Sequence, residues 1–179
     1  MLKIVANLIL LLFYVVLQIS FVPSIGQGLN NLNLALCVII FVTVIISYDA
    51  GLWLSFGSGL LLELYSIYPF GVITLSFLII TMVVNILFKN LFTNRSLYSL
   101  LALGVLGTFI YGLIMLVSKS LIFIADPTIN IAVLFGLASF YELFWQIIFN
   151  STLLALTFLT MNFISHRLKA YFIISGNYE

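Results

Sequence analysis

Charged residues are scarce in this sequence, and their scarcity defines the class of protein. Only 6% of the 179 residues are charged and 64% are hydrophobic, whereas a soluble domain of average composition carries about 25% charged residues. Such a chain has too few polar groups to cover a folded core, which excludes a soluble globular fold. The apolar runs are unbroken and of helical length. The sequence therefore predicts an all-α, polytopic membrane helical bundle.

The residue types that usually perform catalysis or bind metals are few as well. Cys37 is the single cysteine, so neither an intramolecular disulfide nor a cysteine-based metal site is expected. His166 is the single histidine and follows the last apolar run, where it cannot activate a nucleophile inside a span. Lysines and arginines are scattered and form no patch for nucleic acid. We expect no catalytic residue, no metal, no cofactor and no nucleic acid partner.

Six apolar segments approach the length of about 20 residues that crosses a bilayer. They are residues 2–22, 34–48, 52–67, 72–92, 97–117 and 141–164. A tight turn at Asp49–Gly51 is predicted between the second and third segments. Residues 118–140 are interpreted as an outer hairpin or an interfacial segment, although a seventh crossing within 129–164 stays open. Residues 1–179 form one predicted integral membrane domain, whose first segment resembles a signal peptide but is expected to remain as a helix.

Basic residues orient the predicted spans, because cytoplasmic loops are enriched in lysine and arginine. With the N-terminus in the cytoplasm, five of the six basic residues lie inside, and only Lys119 lies outside. The five are Lys3, Lys89, Arg95, Arg167 and Lys169. The sequence thus predicts six spans with both termini in the cytoplasm.

A stripe of small residues ending in a carboxylate lies in the third segment. Gly51, Ser55, Gly59 and Glu63 recur at intervals of four, which places them on one helix face. Small residues allow helix backbones to approach closely in lipid. Glu63 is interpreted either as a ligand- or partner-binding group inside the bundle or as a carboxylate that reaches the outer interface or pairs with Lys119.

A second polar stripe lies in the last segment, where Glu142, Gln146 and Asn150 share a face that should point away from lipid. The fifth segment adds a third stripe of small residues, Gly104, Thr108 and Gly112. We expect the three stripes to meet in the outer half of the bundle. They form either an outward-facing polar cavity or a set of interhelical hydrogen bonds worth on the order of 1 kcal/mol each.

The run from Gly59 to Leu64, followed by Pro69-Phe70-Gly71, resembles the rod shape-determining protein MreD family. That family typically has a Gly-x-x-x-Asp-Leu run followed by a Pro-Leu-Gly turn. The likeness covers most of the chain as architecture, and residues 51–71 as motif. Here Glu63 stands in the position of the aspartate and Phe70 in that of the leucine, two chemically mild departures.

The resemblance implies a non-enzymatic, multi-pass component of the bacterial cytoplasmic membrane that acts in cell shape. Such a protein scaffolds peptidoglycan-synthesis partners of the elongation machinery, or elongasome, beside an MreC-like protein. The implied fold is similar to that of the substrate-binding subunits of energy-coupling-factor vitamin transporters, which supplies the alternative function. Those subunits often carry an Ala-x-x-x-Ala motif in their first span, and here Ala6 has no such partner.

The sequence therefore nominates one set of residues for packing or for binding a membrane partner. They are Gly51, Ser55, Gly59, Glu63, Pro69, Gly71, Glu142, Gln146 and Asn150.

Overall fold

The computed structural model of the protein describes residues 11–24, 31–92, 96–125 and 137–175. Within these ranges the chain forms six helices and no strand, which confirms the all-α class. The helices are α1 (Leu11–Ser24), α2 (Leu34–Ile45), α3 (Tyr48–Glu63), α4 (Val72–Leu91), α5 (Leu97–Ala125) and α6 (Leu137–Ser175).

Three of the described helices are long and apolar enough to cross a bilayer. The qualifying segments are Val72–Leu91, Leu97–Ser120 and Ser139–Phe163. Helices α1 and α2 are apolar but shorter, and α3 has 16 residues. The count of six spans and the cytoplasmic position of both termini stay predictions of the sequence.

Helix α2 is the centre of the bundle, although it is one of the shortest helices. It packs against α3, α4, α5 and α6, and Leu36, Ile39 and Ile40 are almost completely buried. A helix that is apolar all round is the kind that can be surrounded on every side. Its 12 residues therefore form the core on which the longer helices are arranged.

The predicted turn at Asp49–Gly51 is wrong, because these residues belong to the first turns of α3. The chain turns at Ile46 and Ser47 instead. Ser47 is the N-cap of α3, and its hydroxyl accepts a hydrogen bond of 3.3 Å from the Ala50 N–H. A serine N-cap and an acidic residue in the first turn both stabilise a helix start, so α3 begins four residues before the predicted span.

The interpretation of the region after residue 117 is also corrected. Helix α5 continues without interruption to Ala125, and α6 already begins at Leu137. No glycine or proline occurs between Ser118 and Ala125, so nothing in the sequence stops the helix before Asp126-Pro127. The outer hairpin or interfacial segment is predicted for residues 118–140, of which residues 126–136 lie outside the described residues.

Candidate functional site

The stripe on α3 is an interface with α2 and α4. A Cβ on Gly51 would collide with the Thr43 side chain of α2, and a Cβ on Gly59 would lie 2.6 Å from the Thr74 Cα of α4. Between them, the buried Ser55 hydroxyl is hydrogen-bonded to the Thr81 hydroxyl of α4. The small residues thus allow the α3 backbone to approach both neighbouring helices, as close packing in lipid requires.

Glu63 lies at the end of this stripe and caps the next helix. Its side chain is only 6% exposed, and Oε1 accepts a hydrogen bond of 2.9 Å from the Thr74 backbone N–H. Thr74 is the third residue of α4, and the N-cap position is occupied by Gly71, which has no side chain to offer. Because the first N–H groups of a helix lack internal partners and carry partial positive charge, the Glu63 carboxylate replaces the missing cap.

The turn between α3 and α4 is what brings Glu63 to this position. Gly71 has a φ of +99°, a left-handed conformation that glycine adopts without steric cost. The Val72 N–H donates to the Pro69 carbonyl at 3.3 Å, while the Ser66 hydroxyl accepts from the Tyr68 N–H at 3.0 Å. Helix α3, the turn at residues 64–71 and α4 are called the α3–α4 hairpin below.

Asn150 is the centre of a second buried site, formed by α2, α5 and α6. Its side chain is 0% exposed. The amide oxygen accepts from the Asn33 N–H at 3.0 Å, and the amide nitrogen donates to the Thr108 hydroxyl at 3.1 Å. Asn33 is itself the N-cap of α2, with its side chain accepting from the Leu36 N–H at 3.0 Å. We call Asn33, Thr108 and Asn150 the Asn150 network.

The remainder of the α6 stripe is less buried than the sequence predicts. Gln146 is half-buried, and Glu142 is exposed, so Glu142 does not share the interior position of Asn150. The exposure follows from the position of α6 at the side of the bundle, where only 11% of its membrane-length segment is buried. A four-residue spacing defines a face, but it does not say how far along that face the neighbouring helices extend.

The three predicted stripes form two interfaces rather than one groove. The α3 stripe packs on α2 and α4, as described above. The α5 stripe packs on α6, because a Cβ on Gly104 or Gly112 would meet the side chains of Leu154 and Leu143, respectively. The expected meeting of all three stripes is therefore wrong.

Tyr68, in the turn of the α3–α4 hairpin, lies within electrostatic range of Glu142 on α6. Burial raises the pKa of the Tyr68 phenol, and the nearby Glu142 carboxylate raises it further. Since the ordinary value is already about 10, the phenol stays protonated at neutral pH. Tyr68 is thus a neutral side chain near Glu142, where the turn approaches α6.

Gln18 is a half-buried residue outside the nominated set that joins α1 to the start of α2. It lies in a π-helical turn of α1, Leu17–Phe21. Its amide oxygen accepts from the Leu34 N–H at 2.6 Å, and its amide nitrogen donates to the Leu32 carbonyl at 3.2 Å. The available signal was an isolated amide in an apolar span, and such residues usually bind backbone groups of a neighbouring segment.

A cavity of about 290 Å³ lies at the end of the bundle where the hairpin turns. Its polar lining comes from uncharged groups on several segments. They are Gln18, Asn33, Tyr65, Ser66 and Tyr111. Gln18 and Asn33 already bind backbone N–H groups, so their acceptor groups are engaged within the chain.

The chemistry of these sites is that of helix packing. Among the residues that the structure describes, no group of three histidine, cysteine, aspartate or glutamate side chains could hold a metal ion. Ser55, Glu63 and Asn150 use their polar side-chain groups to bind other helices of the same chain. Glu63 Oε2 and Thr74 Oγ1 are exceptions, since both are buried without a hydrogen-bond partner in the structure.

Comparison with known proteins identifies the family. The model of the rod shape-determining protein MreD family matches residues 1–164 of the chain. No curated protein and no solved structure matches it. The match includes the whole α3–α4 hairpin and the Asn150 network. With nearly the full sequence covered, this chain belongs to the MreD family of rod shape-determining membrane proteins.

Proposed function

We propose that the chain is a non-enzymatic scaffold of the bacterial elongation machinery in the cytoplasmic membrane. In this role it holds an MreC-like protein beside the proteins that synthesise peptidoglycan. The family match over residues 1–164 carries the proposal. The use of the buried polar groups for contacts between helices supports it, because a scaffold needs a bundle of fixed shape rather than a reactive centre.

The nominated residues of α3 and of the turn act in this proposal by shaping the hairpin. Gly51, Ser55 and Gly59 set the spacing of α3, while Glu63 fixes the start of α4. The turn they support carries Ile67 and Phe70, which are 94% and 75% exposed. These apolar side chains are available to a partner at the outer surface of the membrane. Substitutions at Glu63 then weaken partner binding through the shape of the turn.

Complementation and co-purification test the proposal together. Depletion of this protein from its own cells should convert rods to spheres, and expression of the wild-type chain should restore rods. The MreC-like protein of the same cells should co-purify with the tagged chain in detergent. Normal rods after depletion, with no MreC-like protein recovered, would contradict the proposal.

The alternative function is that of a substrate-binding subunit of a vitamin transporter. The cavity of about 290 Å³ is the observation that favours it. A substrate-binding subunit should retain a ligand of vitamin size on purification. Native mass spectrometry of the purified chain measures this directly. The scaffold proposal predicts no stoichiometric ligand of that size, and detection of one would favour transport.

A further inference from the structure

A face of α3 beside its buried stripe carries an acidic residue and two aromatic residues. Asp49 is exposed, Trp53 is 75% exposed and Phe56 is 46% exposed. Their spacing of four and then three residues places them on one helix face. With Leu52 and with Leu78 of α4, they line an open groove of about 500 Å³, which we call the Trp53 groove.

The length of α3 determines the depth of Asp49 in the membrane. A helix of 16 residues is about 24 Å long at 1.5 Å per residue, whereas the hydrocarbon core is about 30 Å thick. With the predicted orientation, Asp49 is at the cytoplasmic end of this short helix. Its carboxylate therefore lies close to the hydrocarbon boundary, where pairing with a cation is favourable.

We propose that the Trp53 groove docks a transmembrane helix of a partner protein that carries lysine or arginine at its cytoplasmic end. The basic residue pairs with Asp49, and an apolar side chain one or two turns further into the membrane fills the space between Trp53, Phe56 and Leu78. Cytoplasmic ends of spans are enriched in basic residues, so the charge and its depth complement Asp49. This inference rests on the proposed scaffold function and on the predicted orientation, and it adds a contact surface within the membrane to the one at the turn.

Two other occupants of the groove are disfavoured by charge. A lipid tail can fill the groove, but an anionic lipid headgroup is repelled by Asp49. A second copy related by a two-fold axis along the membrane normal would present the same patch, which brings two Asp49 carboxylates to the same depth. Like charges at close range are destabilising. A helix with a basic inner end avoids both penalties.

Lys89 is the charged residue of the adjacent helix α4. It lies exposed in the last turn of that helix. It is at the same end of the hairpin as Asp49. If Lys89 already neutralised Asp49, replacing Lys89 would strengthen partner binding by freeing the carboxylate. The proposal instead expects Lys89→Ala to leave partner binding within about twofold of wild type.

The test is co-purification of the MreC-like protein of the same organism with full-length chain variants. Trp53→Ala and Phe56→Ala should each lower the recovered partner at least tenfold. Phe109→Ala is the matched control, since Phe109 on α5 is 44% exposed, and it should leave recovery unchanged. Each variant must elute from size exclusion at the wild-type volume, which separates lost binding from misfolding.

A charge exchange tests the pairing with Asp49. Asp49→Lys should reduce recovery at least tenfold, and replacing the partner's basic residue at the inner end of its span with glutamate should restore it. If wild-type chain recovers the partner but all groove variants do so equally, the groove is not the surface, while the scaffold function stands. If wild-type chain recovers no partner, both proposals fail. A photo-cross-linker at position 53 that captures a second copy of this chain would also overturn the inference.

Discussion

At the scale of single residues, Glu63 is a cap supplied by one helix to the next. Replacing it with leucine removes the acceptor of the Thr74 N–H, and loss of a helix cap costs about 0.5–2 kcal/mol. We therefore expect Glu63→Leu to lower the free energy of unfolding by about 1–2 kcal/mol. Denaturation of the purified protein in mixed micelles measures this change.

Two comparison variants show whether the acceptor itself is responsible. Glu63→Gln keeps a side-chain oxygen at the same distance along the chain and should retain most of the stability. Glu142→Leu removes an exposed carboxylate and should have little effect. A Glu63→Gln variant as unstable as Glu63→Leu would show that the charge, rather than the hydrogen bond, stabilises the start of α4.

Asn150 is the second residue whose polarity the fold requires. In Asn150→Leu the buried Asn33 N–H and Thr108 hydroxyl lose their partner, and each unsatisfied buried group costs about 1–3 kcal/mol. We expect a loss of at least about 1 kcal/mol in the same denaturation experiment. Thr152→Val is the control, because Thr152 is exposed and bonds only within its own helix. Equal stability of the two variants would contradict a structural role for the Asn150 network.

At the scale of elements, the α3–α4 hairpin depends on the contact at Gly59. Gly59 and Gly57 are two residues apart in α3, but a Cβ at Gly59 meets the Thr74 backbone, whereas one at Gly57 meets the movable end of Leu11. Gly59→Ala should therefore destabilise the protein by about 1–3 kcal/mol, the usual cost of overpacking. Gly57→Ala should be nearly neutral, because alanine is the better helix former by about 1 kcal/mol. A Gly59→Ala variant as stable as Gly57→Ala would contradict this and would show that α3 and α4 can move apart at little cost.

The start of α3 shows why element boundaries are harder to read than element types. Ser47 and Asp49 are both helix-start signals, yet Asp49-Ala50-Gly51 between two apolar runs also has the composition of a turn. The cap at Ser47 decides between them. At α5 the absence of glycine or proline after Ser118 allows a helix that the apolar length alone did not predict. Both outcomes depend on local hydrogen bonding that hydropathy does not measure.

At the scale of the whole molecule, the membrane orientation has a direct test. Cys37 is buried, so single cysteines can be introduced at exposed positions with low background. Ile67→Cys, in the turn before α4, should react with a membrane-impermeant maleimide in intact cells. Asn90→Cys, near the end of α4, should react only after permeabilisation. Labelling of both positions from the same side would contradict the predicted topology.

The sequence by itself determined the class of this protein, its family and the faces its polar residues share. The low fraction of charged residues excludes a soluble globular fold. A spacing of four residues places side chains on one face of a helix, whatever surrounds that helix. Only the tertiary structure decided what each face meets. The α3 stripe contacts α2 and α4, the α5 stripe contacts α6, and Glu142 is exposed. Helix periodicity is a local property, whereas the partner of a face depends on how all the helices pack around α2.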